Sequence, residues 1–287
     1  MLKYILLFVH LVVSPCFLMA EKKINGEIPC FALITIPKSG SHLIMKALYL
    51  LTDSVPVWHT RFPSLFYLKP KDGFLYTHFC LSPELESDYA ALPAMKKIIC
   101  IRDLRDVAVS IVSHIRKNLW PGLSLEMREE FLKLSFDEQL LFVINFDYDV
   151  QEVADYAPNS LQVSLAKIGQ QSMRYTYDPA NLTCRYEDLV GEQGGGSNEA
   201  QKREVERLAL FLKISIDPCD IEDIAGKLYG NETEIYGKGS MMNFRSTFTK
   251  GQIGNWKNVF KEEHKDAFKK KLGKYLIALG YEDNNLW

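Results

Sequence analysis

A short polar segment between two apolar runs is the part of the sequence best suited to bind an anion. The apolar run 30–36 predicts a buried strand, the run after PKSGSH predicts a helix, and PKSGSH joins the two. A glycine-containing turn at a helix N-terminus offers backbone N–H groups and the positive end of the helix dipole to a phosphate or sulfate. Lys38 adds a charge, and Ser39 and Ser41 add hydroxyl donors. The segment is not a Walker A loop, because Lys38 precedes Gly40 and the upstream glycine of that motif is missing.

A second predicted strand-to-helix junction carries Arg102 at its end and Ser110 two turns into the helix. An arginine at the end of a buried strand is costly unless it meets an anion or a carboxylate. If the chain folds back there, Arg102 and Ser110 can reach one phosphate. The alternative is a structural ion pair, either Arg102 with Asp106 or Arg105 with Asp103.

A third segment, TKGQIGNWKNVF, has two glycines three residues apart next to Lys250 and an aromatic residue. Such a segment is a poor helix but can form a loop that closes around a nucleotide. We call residues 250–256 the late loop.

The elements that must position these residues form an alternating pattern. Short apolar runs followed at once by helical patterns predict a single α/β domain, residues 26–287, with a central parallel sheet and helices on both faces. The predicted strands are 30–36, 74–79 and 96–102, and residues 181–189 read as a further strand with an acidic turn. Residues 135–157 read as one helix, and the glycine-rich stretch 191–201 reads as a flexible surface loop.

Composition excludes several classes of protein. The chain has 287 residues, of which 47% are hydrophobic, and a net charge of −2. This apolar share is too high for a disordered chain, and the absence of a basic excess argues against nucleic-acid binding. Six cysteines with no CxxC pair give no support for a zinc site, so no metal is expected.

The N-terminus is unlike the rest of the chain. Lys3 precedes an apolar stretch that ends at Ala20, and the sequence then becomes polar from Glu21. This pattern is typical of a signal peptide, or of an uncleaved membrane anchor formed by residues 1–20. It predicts a secretory or membrane-associated protein. A cytoplasmic protein is the alternative, with this stretch as the first element of the domain.

Taken in order, PKSGSH, IRDLRDVAVS and TKGQIGNWKNVF resemble the three signature segments of the sulfotransferase family, across about residues 30–281. The resemblance implies a fold akin to nucleotide kinases. It also implies 3′-phosphoadenosine 5′-phosphosulfate (PAPS) as the co-substrate, with no metal. The acceptor would be a hydroxyl or amine of a small molecule, a lipid or a carbohydrate.

Site residues follow from the same resemblance. Lys38 and His78 would be catalytic, with Lys38 stabilising or protonating the leaving oxygen and His78 taking the acceptor proton; His42, His59 and His114 are rivals for the second role. The residues implied to contact the nucleotide are Lys38, Ser39, Gly40, Ser41 and His42 at the 5′ end, Arg102, Ser110, Lys250 and Gly251 at the 3′-phosphate, and Tyr186 at the adenine.

The sequence departs from the family pattern near the nucleotide. Leu43 stands where many members have a tryptophan, so Tyr229 could stack on the adenine instead. Thr249 replaces an arginine, for which Arg245 could compensate, and Asn255 replaces an aspartate. These changes keep open a catalytically inactive relative, and a kinase with a divergent phosphate loop is a further alternative.

The first residue of the mature protein tests the assignment of residues 1–20. N-terminal sequencing of protein from its native host should begin at Glu21 if the segment is a cleaved signal peptide. A chain that retains Lys3 would contradict cleavage and favour an anchor or a cytoplasmic protein.

Overall fold

The computed structural model describes residues 28–54, 95–117, 123, 125–146, 164–230 and 251–287, together with the backbone of 56–58 and 74–78. The N-terminal segment 1–20, Lys250 and Arg245 lie outside the described residues. Within the described ranges, no helix combines the length and apolar character needed to cross a membrane.

Five parallel strands form the centre of the fold. They are β1 (Phe31–Thr35), β2 (Pro56–Trp58), β3 (Phe74–His78), β4 (Lys96–Ile101) and β5 (Asn181–Arg185). Their spatial order is β2-β3-β1-β4-β5, and every adjacent pair is parallel. The direction in which successive strands are added to the sheet changes between β1 and β4. Parallel sheets bind ligands in the crevice at the carboxyl ends of the strands at such a point.

Helices follow most of the strands. The described helices are α1 (Ser41–Thr52), α2 (Leu104–Arg116), α3 (Leu125–Lys133), α4 (Phe136–Asn145), α5 (Leu165–Thr176), α6 (Tyr186–Leu189), α7 (Asn198–Phe211), α8 (Pro218–Leu228) and α9 (Glu262–Ala278). Two 3₁₀ turns complete the described structure, Glu192–Gly194 and Asn255–Asn258.

The two faces of the sheet carry separate hydrophobic cores because successive strand residues point in opposite directions. Leu33 and Cys100 belong to the core formed with α1, α7 and α8. Ile34 and Ile99, their neighbours in sequence, belong to the core formed with α2, α4, α5 and α9. The predicted parallel sheet with helices on both faces is therefore confirmed.

Two local predictions were wrong. The helix expected over 135–157 ends at Asn145, where Phe146 takes an extended conformation with φ −66° and ψ 119°. The stretch 191–201, expected to be a flexible surface loop, instead forms the 3₁₀ turn Glu192–Gly194 and the first residues of α7, and the carbonyl of the buried Gly194 accepts a hydrogen bond from the N–H of Ile253 at 2.9 Å.

Close packing of α5 on α9 gives a prediction about stability. A Cβ added to Gly169 in α5 would lie 2.6 Å from ring carbons of Tyr275, whereas one added to Gly226 in α8 would meet nothing within 4 Å. We expect Gly169→Ala to lower the free energy of unfolding by about 1–3 kcal/mol through overpacking. Gly226→Ala should raise it by up to about 1 kcal/mol, because alanine favours the helix.

Urea unfolding of both variants beside the parent chain measures these changes. A Gly169→Ala protein as stable as the Gly226→Ala protein would contradict the contact between α5 and Tyr275.

Candidate active site

The segment between β1 and α1 forms a tight turn that ends at the first residue of the helix. Lys38 and Gly40 both have left-handed backbone conformations, with φ 67° and 86°. The N–H of Ser39 donates to the carbonyl of Ile36 at 3.1 Å, which closes the turn. A Cβ at residue 40 would overlap the ring of Tyr186, so only glycine fits there. The first N–H groups of α1, which have no partner within the helix, begin directly after this turn.

The ammonium of Lys38 lies in an unusual environment for a lysine. Its Nζ is 3.0 Å from Nδ1 of His114 on α2. Burial, together with the positive charges of Arg102 and Lys117, lowers the pKa of Lys38 from 10.5 to about 7. A bound anion would relieve this repulsion and favour the charged lysine.

The hydroxyl groups of the turn differ in their contacts. Ser41 Oγ is 2.7 Å from the hydroxyl oxygen of Thr35 at the end of β1. Ser39 is fully buried, and its Oγ has no hydrogen-bond partner among the described residues. Leaving a buried hydroxyl unsatisfied costs about 1–3 kcal/mol, so this donor is suited to a ligand oxygen. His42 is half-buried one residue further along α1.

Arg102 joins three segments of the chain. Its guanidinium donates to the carbonyls of Lys38 at 3.3 Å and Gln252 at 2.8 Å, and it lies over the ring of Tyr186 with 4.3 Å to the centroid. It also pairs with Asp106 at 3.4 Å. Its Nε is buried and has no partner among the described residues, which leaves one N–H to offer to an anion.

Ser110 lies between two residues that contact the site. Asp106, Ser110 and His114 are spaced four residues apart on α2, and such residues share one face of a helix. Asp106 contacts Arg102, and His114 contacts Lys38. The half-buried Ser110 therefore lies on the face of α2 that is turned toward the two cations.

The late loop is fixed by hydrogen bonds to α2 and to the residue after β5. Tyr186 donates its hydroxyl to the carbonyl of Gly251 at 2.6 Å, and burial raises the pKa of that hydroxyl. The carboxylate of Asp106 accepts from the N–H groups of Gly254 at 2.8 Å and Trp256 at 2.9 Å. Arg102 and the late loop thus share one buried carboxylate.

The structure brings most of the predicted residues to one edge of the sheet. Lys38, Arg102 and Tyr186 follow β1, β4 and β5, and Gly251 is attached to Tyr186. His78 is the last residue of β3, and its Cα pairs with that of Thr35, the last residue of β1. Lys250, one residue before Gly251, lies outside the described residues. Both ion pairs raised as alternatives from the sequence are formed, with Arg105 and Asp103 2.7 Å apart.

Sequence reasoning missed the supporting contacts of the site. It treated Asp106 only as an ion-pair partner of Arg102, and His114 only as a rival general base. The available signal was a spacing of four residues. It places Asp106, Ser110 and His114 on one face of α2, and Arg102 precedes them by the same interval, just before the helix begins.

A further supporting network surrounds Glu187, which follows Tyr186. Its carboxylate accepts from the N–H of Asp103 at 3.0 Å and from the hydroxyl of Tyr281 at 3.1 Å. Burial raises the pKa of Glu187. Asp103 in turn caps α2 by accepting from the N–H of Arg105 at 2.9 Å. Within the described part of the chain, no group of three or more His, Cys, Asp and Glu residues is arranged to hold a metal ion.

Comparisons with known proteins agree with this geometry. No curated protein matches the sequence significantly. The crystal structure of mouse sulfotransferase SULT7A1 complexed with PAP is similar, with a TM-score of 0.57, 17% sequence identity, and coverage of 86% of this chain and 84% of that one. At this identity the likeness shows the fold. The sulfotransferase domain model matches residues 30–279. Because that match spans most of the sequence, the chain belongs to the sulfotransferase family, as its three signature segments predicted.

Proposed function

We propose that this protein transfers a sulfuryl group from PAPS to a hydroxyl or amine of a small-molecule, lipid or carbohydrate acceptor. The observation that carries the proposal is the convergence of Lys38, Arg102, Tyr186 and Gly251, which come from four distant parts of the sequence, at one edge of the sheet. A similar solved structure holds PAP, which is the nucleotide that remains when PAPS gives up its sulfuryl group.

The described side chains fit a nucleotide with phosphates at both ends. The turn from Lys38 to His42 would bind the 5′-phosphosulfate, and the unsatisfied hydroxyl of Ser39 supports this. Arg102 and Ser110, together with Lys250 and Gly251, would bind the 3′-phosphate, and the unpartnered Nε of Arg102 supports that part. The ring of Tyr186, between Gly40 and Arg102, would contact the adenine.

The chemistry expected at this site needs positioning and charge. In sulfuryl transfer, the bond from sulfur to the leaving phosphate oxygen breaks while a bond from sulfur to the acceptor atom forms, and negative charge builds on the leaving oxygen. Lys38 would donate a hydrogen bond or its proton to that oxygen, and its lowered pKa suits proton donation near neutral pH. His78, at the end of the neighbouring strand β3, would accept the proton of the acceptor group.

The N-terminal segment would determine the cellular compartment in which this reaction takes place. We propose that residues 1–20 direct the chain to the secretory pathway or anchor it in a membrane. A PAPS-dependent enzyme needs a compartment that is supplied with its donor, which in a eukaryotic source favours a Golgi lumen over free secretion, whereas in a bacterial source an exported form would be separated from a cytoplasmic donor.

Removal of either proposed catalytic group should stop the reaction. We expect Lys38→Ala and His78→Ala each to lose at least about 100-fold in the release of PAP from PAPS with a panel of phenol, alcohol, amine, lipid and sugar acceptors. His78→Ala should still bind PAP, because its role concerns the acceptor. Lys270→Ala, which changes an exposed lysine of α9, is the matched control.

Near-normal turnover by the His78→Ala protein would contradict its role as the base. Equal PAP release by the parent chain and the Lys38→Ala variant would support a catalytically inactive relative, and preferential binding of ATP over PAPS would support a kinase.

Arg102 should determine the preference for a nucleotide with a 3′-phosphate. Loss of hydrogen bonds to a charged group costs about 1.5–3 kcal/mol, so Arg102→Met should weaken PAP binding about 10- to 100-fold. Adenosine 5′-monophosphate lacks the 3′-phosphate, and its affinity should change less than about 3-fold. Titration calorimetry with both nucleotides measures the ratio of their dissociation constants in the parent chain and in the Arg102→Met variant.

Arg116→Met, at an exposed arginine in the last turn of α2, is the control for loss of charge. Equal weakening of both nucleotides in the Arg102→Met protein would show that Arg102 only holds the late loop in place.

A further inference from the structure

The partner of Lys38 is an imidazole rather than a carboxylate. His114 lies in the last turn of α2, is only 8% exposed, and has its Nδ1 3.0 Å and its Nε2 3.4 Å from the lysine Nζ. Both ring nitrogens are thus within hydrogen-bond distance of the lysine, and Nδ1 is the nearer one. A charged ammonium can only donate, so while Lys38 keeps its proton the nitrogen that it contacts is the unprotonated acceptor of a neutral ring.

Among the described residues, the charged groups that act on Lys38 are both positive. Arg102 approaches from the end of β4, where it donates to the carbonyl of Lys38, and Lys117 approaches from the end of α2. A half-buried ammonium in these surroundings would lose its proton or turn away from the two cations unless an acceptor held it. Within the described residues, His114 provides that acceptor.

We propose that His114 is a positioning residue, whose neutral ring accepts a hydrogen bond from the Lys38 ammonium and aims it at the anion site above the turn. The effect on sulfuryl transfer rests on the proposed function, whereas the contact between His114 and Lys38 does not. An uncharged acceptor orients the ammonium without cancelling its charge, whereas a carboxylate at the same place would neutralise it. The full charge of Lys38 therefore remains for the oxygen that leaves sulfur.

The sequence position of His114 fits this role. Asp106, Ser110 and His114 are spaced four residues apart and so share one face of α2. That face contacts Arg102 at the start of the helix and Lys38 near its end. Protonation of His114 would remove the acceptor and add a third positive charge beside Lys38. The arrangement is thus complete only when the ring is neutral.

Two substitutions separate the hydrogen bond from the volume of the ring. His114→Phe keeps an aromatic ring but removes the acceptor, while His114→Asn retains an amide oxygen near the position of Nδ1. Ser113→Ala, at the preceding half-buried residue of α2, controls for changes to the helix. Thermal unfolding of each full-length variant verifies that it folds.

The first measurement follows Lys38 directly and needs no nucleotide. Brief acetylation at a series of pH values, with mass spectrometry of the peptide that contains Lys38, reports the fraction of neutral amine. An acceptor stabilises the charged form, so its removal in His114→Phe should move the midpoint down by about one pH unit from the value of the parent chain. His114→Asn and Ser113→Ala should stay within about 0.3 pH units of it.

The second measurement connects this contact to the reaction. At pH 7.5, His114→Phe should reduce PAPS turnover at least about 10-fold and the affinity for PAP less than about 3-fold, and His114→Asn should recover most of the turnover. If the parent chain fails to bind PAP, the proposed function fails while acetylation still reports the contact. An unchanged midpoint in His114→Phe would overturn the positioning role.

Discussion

Two cations from different strands, Lys38 and Arg102, are held side by side at the carboxyl edge of the sheet, and the surrounding structure compensates for their repulsion. The guanidinium of Arg102 donates to the backbone carbonyl of Lys38, which joins the end of β4 to the turn after β1. Asp106 and the ring of Tyr186 stabilise Arg102, and His114 accepts from Lys38. Burial of the Lys38 side chain, and after it the positive charges of Arg102 and Lys117, keeps the pKa of Lys38 lowered to about 7 despite these contacts. An anion between the two cations would offset their repulsion.

Two charged residues in the first turn of α2, Asp106 and Arg105, point in different directions, one toward the candidate site and the other toward the C-terminal residues of the chain. Asp106 turns to the late loop, where it accepts from Gly254 and Trp256. Arg105 turns the other way, pairs with Glu282 at 2.5 Å, and lies over the rings of both Trp256 and Trp287, at 3.9 Å and 4.5 Å from their centroids. Trp256 therefore receives contacts from both residues. Through it, the segment after α9 supports the loop that is proposed to close over the nucleotide.

The sequence was sufficient for four of the five described strands and for the positions of the anion-binding candidates, because these depend on local patterns, but the short strand β2 was not predicted. Apolar runs marked the strands, and their carboxyl ends carried Lys38, Arg102 and Tyr186. It was insufficient for the contact between His114 and Lys38, which are 76 residues apart, because that contact depends on the direction in which α2 leaves β4. The end of α4 at Asn145 was also missed, since the helical pattern continued past it. The buried turn at Gly194 was hidden by a composition typical of loops, although a Cβ there would come within 2.7 Å of the carbonyl of Gly251.

The order of the strands has a consequence for how such a protein can diversify. Every residue proposed to contact the nucleotide belongs to the turn after β1, to the half of the sheet that contains β4 and β5, or to the late loop joined to them. The connections after β2 and β3 leave from the opposite half of the sheet. Under the proposed function, insertions and substitutions in those connections would change which acceptor is taken without disturbing the contacts proposed to hold the donor. Selection would then act on the two halves of the proposed reaction almost independently, with His78 of β3 as the residue proposed to serve both.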